Sequence, residues 1–389
     1  MDLESLRATA APHLRKFYPK IVDLAFSGTT PPELFIGEYN YPQVYAGILS
    51  PTTHDEESST LTKPELWYQK KFSINDILFL RSTLIYARFK TPIKNFGGRL
   101  VDNMQEVSMS SKPTAVSFEL KKKPHMNLDF DTRHPPIGNA APVIKTTLED
   151  NPVIPRKIDR LVNDTDVKAT TAIQELYTSN FDVTDIMKLL SAGLLGQKKA
   201  RKLTPTKWSI TAVDSLISKE HLNKIRTCQP INTYEVYHQA YLGNHYEILF
   251  LPRTWSYEVI EHSIPSEAYP QGGWWTDHEG YRNRTSYATS VVGAYYANKL
   301  AITEYLLRKQ RQATVIIFRE VQPTYWAPCG VGILRETVRD ALQQPMHTFN
   351  TLSEALQDIQ TRLQTPISKF LKNSKLYHDI KEQRSLLEY

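Results

Sequence analysis

Residues 193–216 read Gly-Leu-Leu-Gly-Gln-Lys-Lys-Ala-Arg-Lys-Leu-Thr-Pro-Thr-Lys-Trp-Ser-Ile-Thr-Ala-Val-Asp-Ser-Leu, and we name this stretch the basic hub. Its two glycines can end the helical pattern before them, which would leave the following cations on a loop. Five cations fall within ten residues: Lys198, Lys199, Arg201, Lys202 and Lys207. A run of lysine and arginine is often only a solvated face, but here hydroxyl side chains and a tryptophan follow. That composition suits phosphate or nucleic acid, so these cations are candidate phosphate-binding residues.

The composition limits the class of protein. The chain has 389 residues, of which 41% are hydrophobic and 11% aromatic, enough for two or three domains. A net charge of +6 favours an anionic partner without requiring one. With only Cys228 and Cys329, a four-cysteine zinc site is impossible and no disulfide framework can be argued. No secretion signal and no apolar run of about 18 residues occur, so we expect a cytoplasmic protein without a membrane partner.

Helix and strand patterns alternate irregularly, which favours an α+β fold with mixed helices and short strands around a large irregular core. The patterns predict strands at Leu34–Tyr39, Val44–Leu49, Thr114–Leu120, Tyr234–Tyr241, His245–Leu251 and Thr314–Phe318. A long helix is predicted over Ser290–Arg308, and capping boxes at Ser73 and Thr351 mark the starts of two other helices. The proline-rich stretch 121–157 predicts a long loop or a linker.

Carboxylates and arginines elsewhere could form a catalytic site. The segment Asp277–Tyr287 concentrates acids, arginines and tyrosines, and Arg319-Glu320 directly follow an apolar strand. Carboxylates could hold a divalent metal while arginines clamp a phosphate, as phosphoryl transfer requires. Alternatively, these charges form ion pairs at helix and strand ends. The catalytic candidates are Asp214, Asp277, Glu279 and Glu320, and the further phosphate-binding candidates are Arg282, Arg284 and Arg319.

The carboxyl-terminal residues form a candidate docking peptide. Gln383, Leu386 and Tyr389 are spaced by three residues, so in one tight helical turn Leu386 and Tyr389 would project from the same face. Both could enter an apolar pocket on a partner. Burying two such side chains supplies roughly 3–6 kcal/mol before the cost of ordering the tail. The alternative is the fraying end of an amphipathic helix.

Several long stretches together resemble the Nre family of archaeal DNA-repair proteins. The matching stretches are 31–42, 151–157, 164–170, 190–196, 201–214, 241–244, 279–281, 293–296 and 318–321. The resemblance implies two family regions, so we expect an N-terminal region over 1–270 that contains the basic hub. A helix-rich C-terminal region with one buried strand would cover 271–370, and a flexible tail would cover 371–389.

The resemblance also implies a partner. Family members carry a C-terminal peptide that docks on the replication sliding clamp, proliferating cell nuclear antigen, and Gln383, Leu386 and Tyr389 match that pattern. The usual peptide has two adjacent aromatic residues, whereas this chain has one. Many members also begin with a four-cysteine zinc module. This sequence lacks that module, so no metal is carried over from the family.

We therefore expect a DNA damage repair factor that is recruited to the clamp through a PIP-like tail and contacts DNA or nucleotide phosphates through the basic hub. One alternative is an enzyme acting on nucleic acid or a nucleotide, such as a nuclease, a phosphotransferase or an ADP-ribosyl-type transferase, for which a divalent metal cofactor is conceivable. Another is a non-catalytic adaptor between the clamp and a second repair protein. If six of these candidate residues converged on one cleft, the enzyme would be favoured, and if they were dispersed, the adaptor would be. The six residues are Arg201, Lys207, Asp214, Glu279, Arg282 and Arg319.

Overall fold

The computed structural model describes residues 23–266 and 270–382, which divide into two compact units. The N-terminal unit comprises residues 23–217 and 328–332, and the C-terminal unit comprises residues 218–327 and 333–382. Each unit contains a mixed sheet and several helices, which confirms the predicted α+β class. None of the helices in these described ranges is long and apolar enough to cross a bilayer.

The N-terminal unit is built on a sheet that, within the described residues, has seven strands in the order β1-β5-β7-β4-β3-β2, with β6 also paired to β7. The strands are β1 Ala25–Thr30, β2 Leu34–Ile36, β3 Gln43–Ser50, β4 Ile85–Pro92, β5 Thr114–Leu120, β6 His125–Asp129 and β7 Ile137–Leu148. Strands β4 and β7 are parallel, and the other neighbours are antiparallel. The predicted strands β2, β3 and β5 are confirmed, because alternating apolar side chains such as Phe118 are buried.

Helices cover this sheet and supply the other half of its core. They are α1 Pro64–Gln69, α2 Ile74–Ser82, α3 Arg99–Met109, α4 Arg156–Asn163, α5 Ala169–Thr178, α6 Val183–Ser191 and α7 Thr206–Ile225, the last continuing into the C-terminal unit. The predicted capping box is confirmed at Ser73, whose backbone N–H donates to Asp76 at 2.8 Å while its hydroxyl accepts from the Asp76 N–H at 3.2 Å. This exchange satisfies donors that the helix itself leaves unpaired.

The expectation of a long loop over 121–157 is wrong, because strands β6 and β7 lie there. Six of the residues in β7 are buried, and the strand pairs with β4, β5 and β6. Pro142 is tolerated inside β7 because the strand changes partner at this residue: pairing with β4 ends at Pro142 and pairing with β5 begins at Val143. The missing proline N–H is therefore not needed in either ladder.

The C-terminal unit has its own sheet, ordered β11-β10-β12-β9-β8-β13 among the described residues. The strands are β8 Tyr234–Tyr241, β9 Asn244–Leu251, β10 Ser256–Ser263, β11 Gly273–Glu279, β12 Thr314–Val321 and β13 His347–Phe349. The helices are α8 Gly293–Lys309, α9 Val331–Ala341, α10 Leu352–Gln360, α11 Ile367–Lys372 and α12 Lys375–Glu382. The predicted strands Tyr234–Tyr241 and His245–Leu251 are confirmed and pair as the hairpin β8–β9. The predicted long helix and the Thr351 capping box are confirmed as α8 and the start of α10.

The expected domain boundary at 270/271 lies inside this second sheet. It falls between β10 and β11, which pair antiparallel over their whole length. By compactness the chain instead divides at 217/218, within helix α7. Strands β8 to β10 therefore belong to the same compact unit as the strands that follow residue 271.

Three buried glutamates of this sheet fix the last helices. Glu247 accepts two hydrogen bonds of 2.8 Å from the Arg362 guanidinium, and Glu320 accepts the Thr365 N–H at 2.7 Å. Glu258 accepts the N–H groups of Lys375 and Leu376 at 2.7 and 3.1 Å, at the start of α12. Residues 371–382, which we expected in a flexible tail, are therefore mostly helical and held to the sheet.

Candidate functional site

The basic hub begins where helix α6 ends. The Leu194 N–H donates to the Leu189 carbonyl at 3.1 Å across Gly193, whose φ is +71°. This is the geometry of a Schellman helix end, which favours glycine because other residues rarely adopt a positive φ. A Cβ at Gly193 would also lie 2.8 Å from Phe96 Cε1 and 2.9 Å from the Lys202 carbonyl oxygen. The hub cations up to Lys202 consequently follow the helix on a loop, as the two glycines predict.

Arg201 is occupied by backbone carbonyls. Its Nε donates to the Gly196 oxygen at 2.7 Å, and its two terminal nitrogens donate to the oxygens of Val162 and Asp164 at 2.8 and 2.9 Å. Burial lowers the pKa of the guanidinium, and the neighbouring Asp164 charge opposes that effect. The planar donor set of arginine therefore joins the hub loop to the end of α4.

Lys207 is likewise occupied, by two carboxylates. Its ammonium lies 2.6 Å from Glu38 and 2.9 Å from Asp131. Burial acts to lower the pKa of Lys207, but hydrogen bonds and charges from Glu38 and Asp131 outweigh it and raise that pKa. Burial similarly opposes ionisation of Asp131, yet the nearby His134 and Lys207 hold its pKa at about 2. Lys207 thus neutralises acids in the fold.

The remaining hub cations, Lys198, Lys199 and Lys202, have exposed side chains. The first two lie on a short 3-10 turn, Lys198–Ala200, and the third lies on the extended segment after it. Beside them is a pocket of about 260 Å³ with apolar and basic walls. It is lined by Lys168, Ala169, Leu190, Leu195, Gly196, Gln197, Ala200, Arg201, Lys202 and Thr204. This is a concave surface whose exposed charged groups are lysines.

Four of the stretches that carry the family resemblance are joined around the hub. The Arg201 guanidinium donates to the Asp164 carbonyl at 2.9 Å, and the Thr204 N–H donates to the Ser191 carbonyl at 2.9 Å. The Thr206 hydroxyl accepts the Ile36 N–H at 2.9 Å. Segments 31–42, 164–170, 190–196 and 201–214 are therefore hydrogen-bonded to one another, although they are far apart in sequence.

Aromatic side chains beside the hub were missed as site residues. Tyr39 is 71% exposed, Tyr41 38%, Phe96 37% and Trp208 41%. Trp208 is exposed although Ile210 and Val213 on the same helix are buried. Trp208 lies in the first turn of α7 on its solvent side. The exposure of Tyr39 and Tyr41 could have been predicted from the sequence, because both lie at an Asn-Tyr-Pro turn and turns lie at the surface.

Lys168 was also missed, although it belongs to one of the stretches that carry the resemblance. It is exposed, lines the pocket and precedes helix α5 as its N-cap residue. A lone lysine at a helix start carries little signal in sequence, because its proximity to residues 196–204 depends on the tertiary fold.

The catalytic candidate Asp277 holds a loop to the start of helix α8. Its carboxylate accepts the N–H groups of Ser290 and Val291 at 2.9 and 2.7 Å, and it pairs with Arg284 at 3.0 Å. Arg284 also donates to the carbonyl oxygens of His278 and Tyr287 at 3.0 and 3.2 Å. These contacts correspond to the structural alternative for this segment.

Glu279 is buried in a network of polar and aromatic side chains. It accepts hydrogen bonds from Trp255 Nε1 at 3.1 Å and from the Tyr295 hydroxyl at 3.0 Å, and Lys299 lies 2.7 Å away. Burial lowers the pKa of the Lys299 ammonium, while Glu279 opposes that shift. The carboxylate and the ammonium are 3% and 6% exposed, so each compensates the other inside the unit.

The other candidates of the C-terminal unit lie apart from Glu279. Arg319 is buried and donates to Asn244 at 3.1 Å and to Glu261, while Glu320 caps the chain before α11. In the sheet, Glu279 pairs with Tyr257 of β10 and Arg319 pairs with Glu261, four residues further along the same strand. The positions of Glu279 and Arg319 therefore differ by roughly 13 Å along the strand direction. Arg282 is exposed on the loop after β11. Glu279 and Arg319 therefore do not share a cleft.

Arg201, Lys207 and Asp214 belong to the N-terminal unit. Asp214 is fully buried in helix α7, which leaves it without access to a substrate in this conformation. Within residues 23–266 and 270–382, no group of three His, Cys, Asp or Glu side chains is arranged to hold a metal ion. The clamp-binding candidates Gln383, Leu386 and Tyr389 lie outside the described residues.

Comparison with known proteins agrees with the resemblance. Residues 10–270 match the N-terminal region of archaeal Nre proteins, and residues 279–389 match their C-terminal region. The chain belongs to the archaeal Nre family. The DNA repair protein NreB of Archaeoglobus fulgidus is 34% identical over 366 residues, covering 93% of this chain and 91% of the relative. The DNA repair protein NreA of Haloferax volcanii is 33% identical over 357 residues, covering 89% and 85%.

The NreA protein of Archaeoglobus fulgidus, also a DNA repair protein by name, is 33% identical over 347 residues, covering 88% of this chain and 86% of the relative. No solved structure matches the chain significantly. The two Nre regions meet between residues 270 and 279, whereas the compact units divide at 217/218. The Nre regions therefore do not coincide with the folding units of this chain.

Proposed function

We propose that this Nre protein is a DNA repair factor that binds DNA phosphates through the exposed lysines of the basic hub. The observation that carries the proposal is that some hub cations are paired within the fold while others are exposed. Arg201 and Lys207 are paired with groups of the fold, while the side chains of Lys198, Lys199 and Lys202 are exposed and Lys202 lines the pocket. The relatives are named DNA repair proteins, which makes a polyanion the fitting partner.

The balance of charge at the surface supports an anionic ligand. Lys168 is a fourth exposed lysine, and it lines the pocket together with Lys202. The exposed acids of the adjoining loop are Asp164 and Asp166, and the Asp164 carboxylate already accepts two backbone N–H groups at 3.0 and 3.1 Å. The lysines outnumber these acids, so the local potential is positive.

Simultaneous replacement of Lys198, Lys199 and Lys202 by alanine tests the phosphate contact. We expect the affinity for a 20-base-pair duplex to fall at least tenfold in 0.1 M salt. The slope of log K against log salt should become shallower by up to about 3, because each lost phosphate contact contributes about 0.9. Fluorescence anisotropy of a labelled duplex in a salt series measures both quantities.

The chain offers a matched control for that experiment. Lys121, Lys122 and Lys123 are consecutive exposed lysines in the turn between β5 and β6 of the same unit. Their triple alanine variant loses the same net charge, so it should keep duplex affinity within about twofold of wild type, apart from long-range charge effects that salt screens. Equal losses in the two variants would reduce the hub to a general contribution of net charge.

The same proposal includes recruitment to the sliding clamp through Gln383, Leu386 and Tyr389 and a location inside the cell. The support is the resemblance of these residues to the family's docking peptide, together with the fixed position of helix α12 just before them. A Leu386→Ala/Tyr389→Ala variant should lose at least tenfold in affinity for the purified clamp by calorimetry. Glu388→Ala is the neighbouring control, and equal affinity of all three proteins would remove the tail from the proposal.

An enzymatic role is not favoured by a specific contact. Asp277, Glu279 and Glu320 are all buried and accept hydrogen bonds that connect parts of the fold. A general acid or base needs access to a reacting group. The catalytic assignment of these carboxylates stays a prediction, and so does the non-catalytic adaptor between the clamp and another repair protein.

A further inference from the structure

The exposed aromatic side chains next to the hub come from three separate segments that are tied together by backbone hydrogen bonds. Tyr41 lies in the turn between β2 and β3, Phe96 in the loop after β4, and Trp208 in the first turn of α7. The Ile93 N–H donates to the Pro42 carbonyl at 3.0 Å, and the Leu203 N–H donates to the Ile93 carbonyl at 2.8 Å. The rings are therefore carried by a connected part of the backbone.

The rings also contact one another and a lysine. The centroids of Tyr41 and Trp208 are 5.1 Å apart with the planes inclined by 49°. The Lys202 ammonium donates to the Tyr41 hydroxyl at 3.4 Å. The Phe96 ring lies against Gly193, where an added Cβ would be only 2.8 Å from the ring. We name Tyr39, Tyr41, Phe96, Lys202 and Trp208 the aromatic–lysine surface.

Single apolar side chains at the surface of a protein are ordinary, but a cluster of exposed rings calls for a partner. The nearby carboxylate Glu38 does not oppose an anionic partner, because Lys207 pairs with it at 2.6 Å. The same ammonium lies 5.9 Å from the centre of the Tyr39 ring. A surface with rings that a flat group can stack on and cations beside them fits bases linked by phosphates.

We propose that the aromatic–lysine surface binds single-stranded nucleic acid, with bases stacked on Trp208 and Tyr41 and the backbone phosphates at Lys202 and the neighbouring hub lysines. This inference rests on the proposed contact between hub lysines and phosphates, and it adds the class of ligand. In a duplex the bases are already stacked on each other, so rings at the protein surface would gain little. In a single strand the base faces are available, and every base can stack on an aromatic ring.

The test uses the full chain with Trp208→Ala and, as the conservative variant, Trp208→Phe. Wild type should bind labelled dT20 more tightly than a 20-base-pair duplex. Trp208→Ala should weaken dT20 binding about tenfold or more, since one stacking platform contributes on that order, and leave duplex binding within about twofold. Trp208→Phe keeps a ring and should recover most of the affinity. Phe79→Ala removes another exposed ring of the same unit, on helix α2, and should leave both affinities unchanged.

The outcomes separate this inference from the proposed function. If the hub lysine triple variant loses duplex and dT20 binding while Trp208→Ala binds dT20 like wild type, the stacking proposal is overturned and the phosphate contact stands. Equal loss of duplex and dT20 binding in Trp208→Ala also overturns it. If wild type binds neither ligand, both proposals fall. Tyr39→Ala is a second variant at a 71% exposed ring, where folding is not at risk, and a U20 strand in parallel shows whether RNA or DNA is preferred.

Discussion

The basic hub and the segment Asp277–Tyr287 look alike in sequence but differ in what the fold does with their charges. In the hub, Arg201 and Lys207 are occupied, while Lys198, Lys199 and Lys202 stay exposed beside aromatic rings. In Asp277–Tyr287 the acids Asp277 and Glu279 are buried. Arg284 donates hydrogen bonds to Asp277 and to three backbone carbonyl oxygens. Only Arg282 among the charged candidates of that segment is exposed.

This difference teaches that composition predicts the presence of charge but not its availability. A buried acid accepts N–H groups or a cation because an unpaired charge inside a protein is very unfavourable. Cations next to such acids are therefore used within the fold. The cations left for a ligand have exposed side chains, as Lys198 and Lys199 do on the turn after α6, where the Lys198 N–H donates to the Thr165 carbonyl.

The largest loss of stability is expected from the substitution Glu279→Ala in the C-terminal unit. The substitution leaves the Lys299 ammonium buried without its carboxylate, which should lower the free energy of unfolding by about 3–5 kcal/mol. Urea denaturation of the full chain measures it. A Glu279→Met/Lys299→Met variant removes both charges and should regain most of the loss. Wild-type stability combined with lost turnover of labelled DNA would instead make Glu279 a catalytic acid.

A smaller loss of stability is expected from the substitution Arg201→Met in the hub. The variant removes hydrogen bonds to the carbonyl oxygens of Gly196, Val162 and Asp164, which together should contribute about 2–3 kcal/mol after allowance for partial exposure. Lys199→Met on the same loop should change the free energy of unfolding by less than about 0.5 kcal/mol. Equal stability of the two variants would break the distinction between occupied and available hub cations.

The surroundings of Asp131, in which His134 and Lys207 outweigh the effect of burial and lower its pKa, predict a dependence of stability on pH. The pKa of Asp131 is about 2 in the folded chain against an ordinary value of 3.8. Because the folded pKa is lowered, the stabilisation is complete above the unfolded pKa and is lost as the pH falls from about 4 towards 2. The loss should be about 2 kcal/mol. Asp131→Asn should flatten the profile of unfolding free energy over that interval, and a profile as steep as wild type would assign the acid sensitivity to other groups.

Much of the fold could be predicted because local rules decide it. The capping boxes at Ser73 and Thr351 and the β8–β9 hairpin follow from residues a few positions apart, and all are present. Strand β7 could not be predicted, because the prolines around it, Pro142 within it and its polar residues obscure the strand pattern, and its pairing with three partners is a tertiary property. The same holds for Glu258, whose helix-anchoring contacts lie more than a hundred residues away along the chain.

The candidate site was predictable in part for the same reason. The hub cations are visible as a run, but their separation into occupied and exposed groups depends on Glu38, Asp131 and Val162, which are distant in sequence. Trp208 lies in the first turn of a helix that begins after Pro205, so sequence alone could assign it to either side of that helix. Its exposure is set by which face of α7 is needed for the core, where Ile210 and Val213 are buried.

The smallest effect on stability and on DNA affinity is expected from Arg282→Ala. This variant tests whether an exposed cation of the segment Asp277–Tyr287 contacts DNA as the hub lysines are proposed to do. Arg282 is exposed on the loop after β11, so the change should alter the free energy of unfolding by less than about 0.5 kcal/mol. If only the hub supplies phosphate contacts, its duplex affinity should stay within twofold of wild type, whereas Lys202→Ala should lose about threefold or more at low salt. Anisotropy titrations of both variants in one salt series decide the matter. A loss in Arg282→Ala as large as that in Lys202→Ala would extend the DNA contact to the C-terminal unit, and exposure would then identify functional cations in both regions.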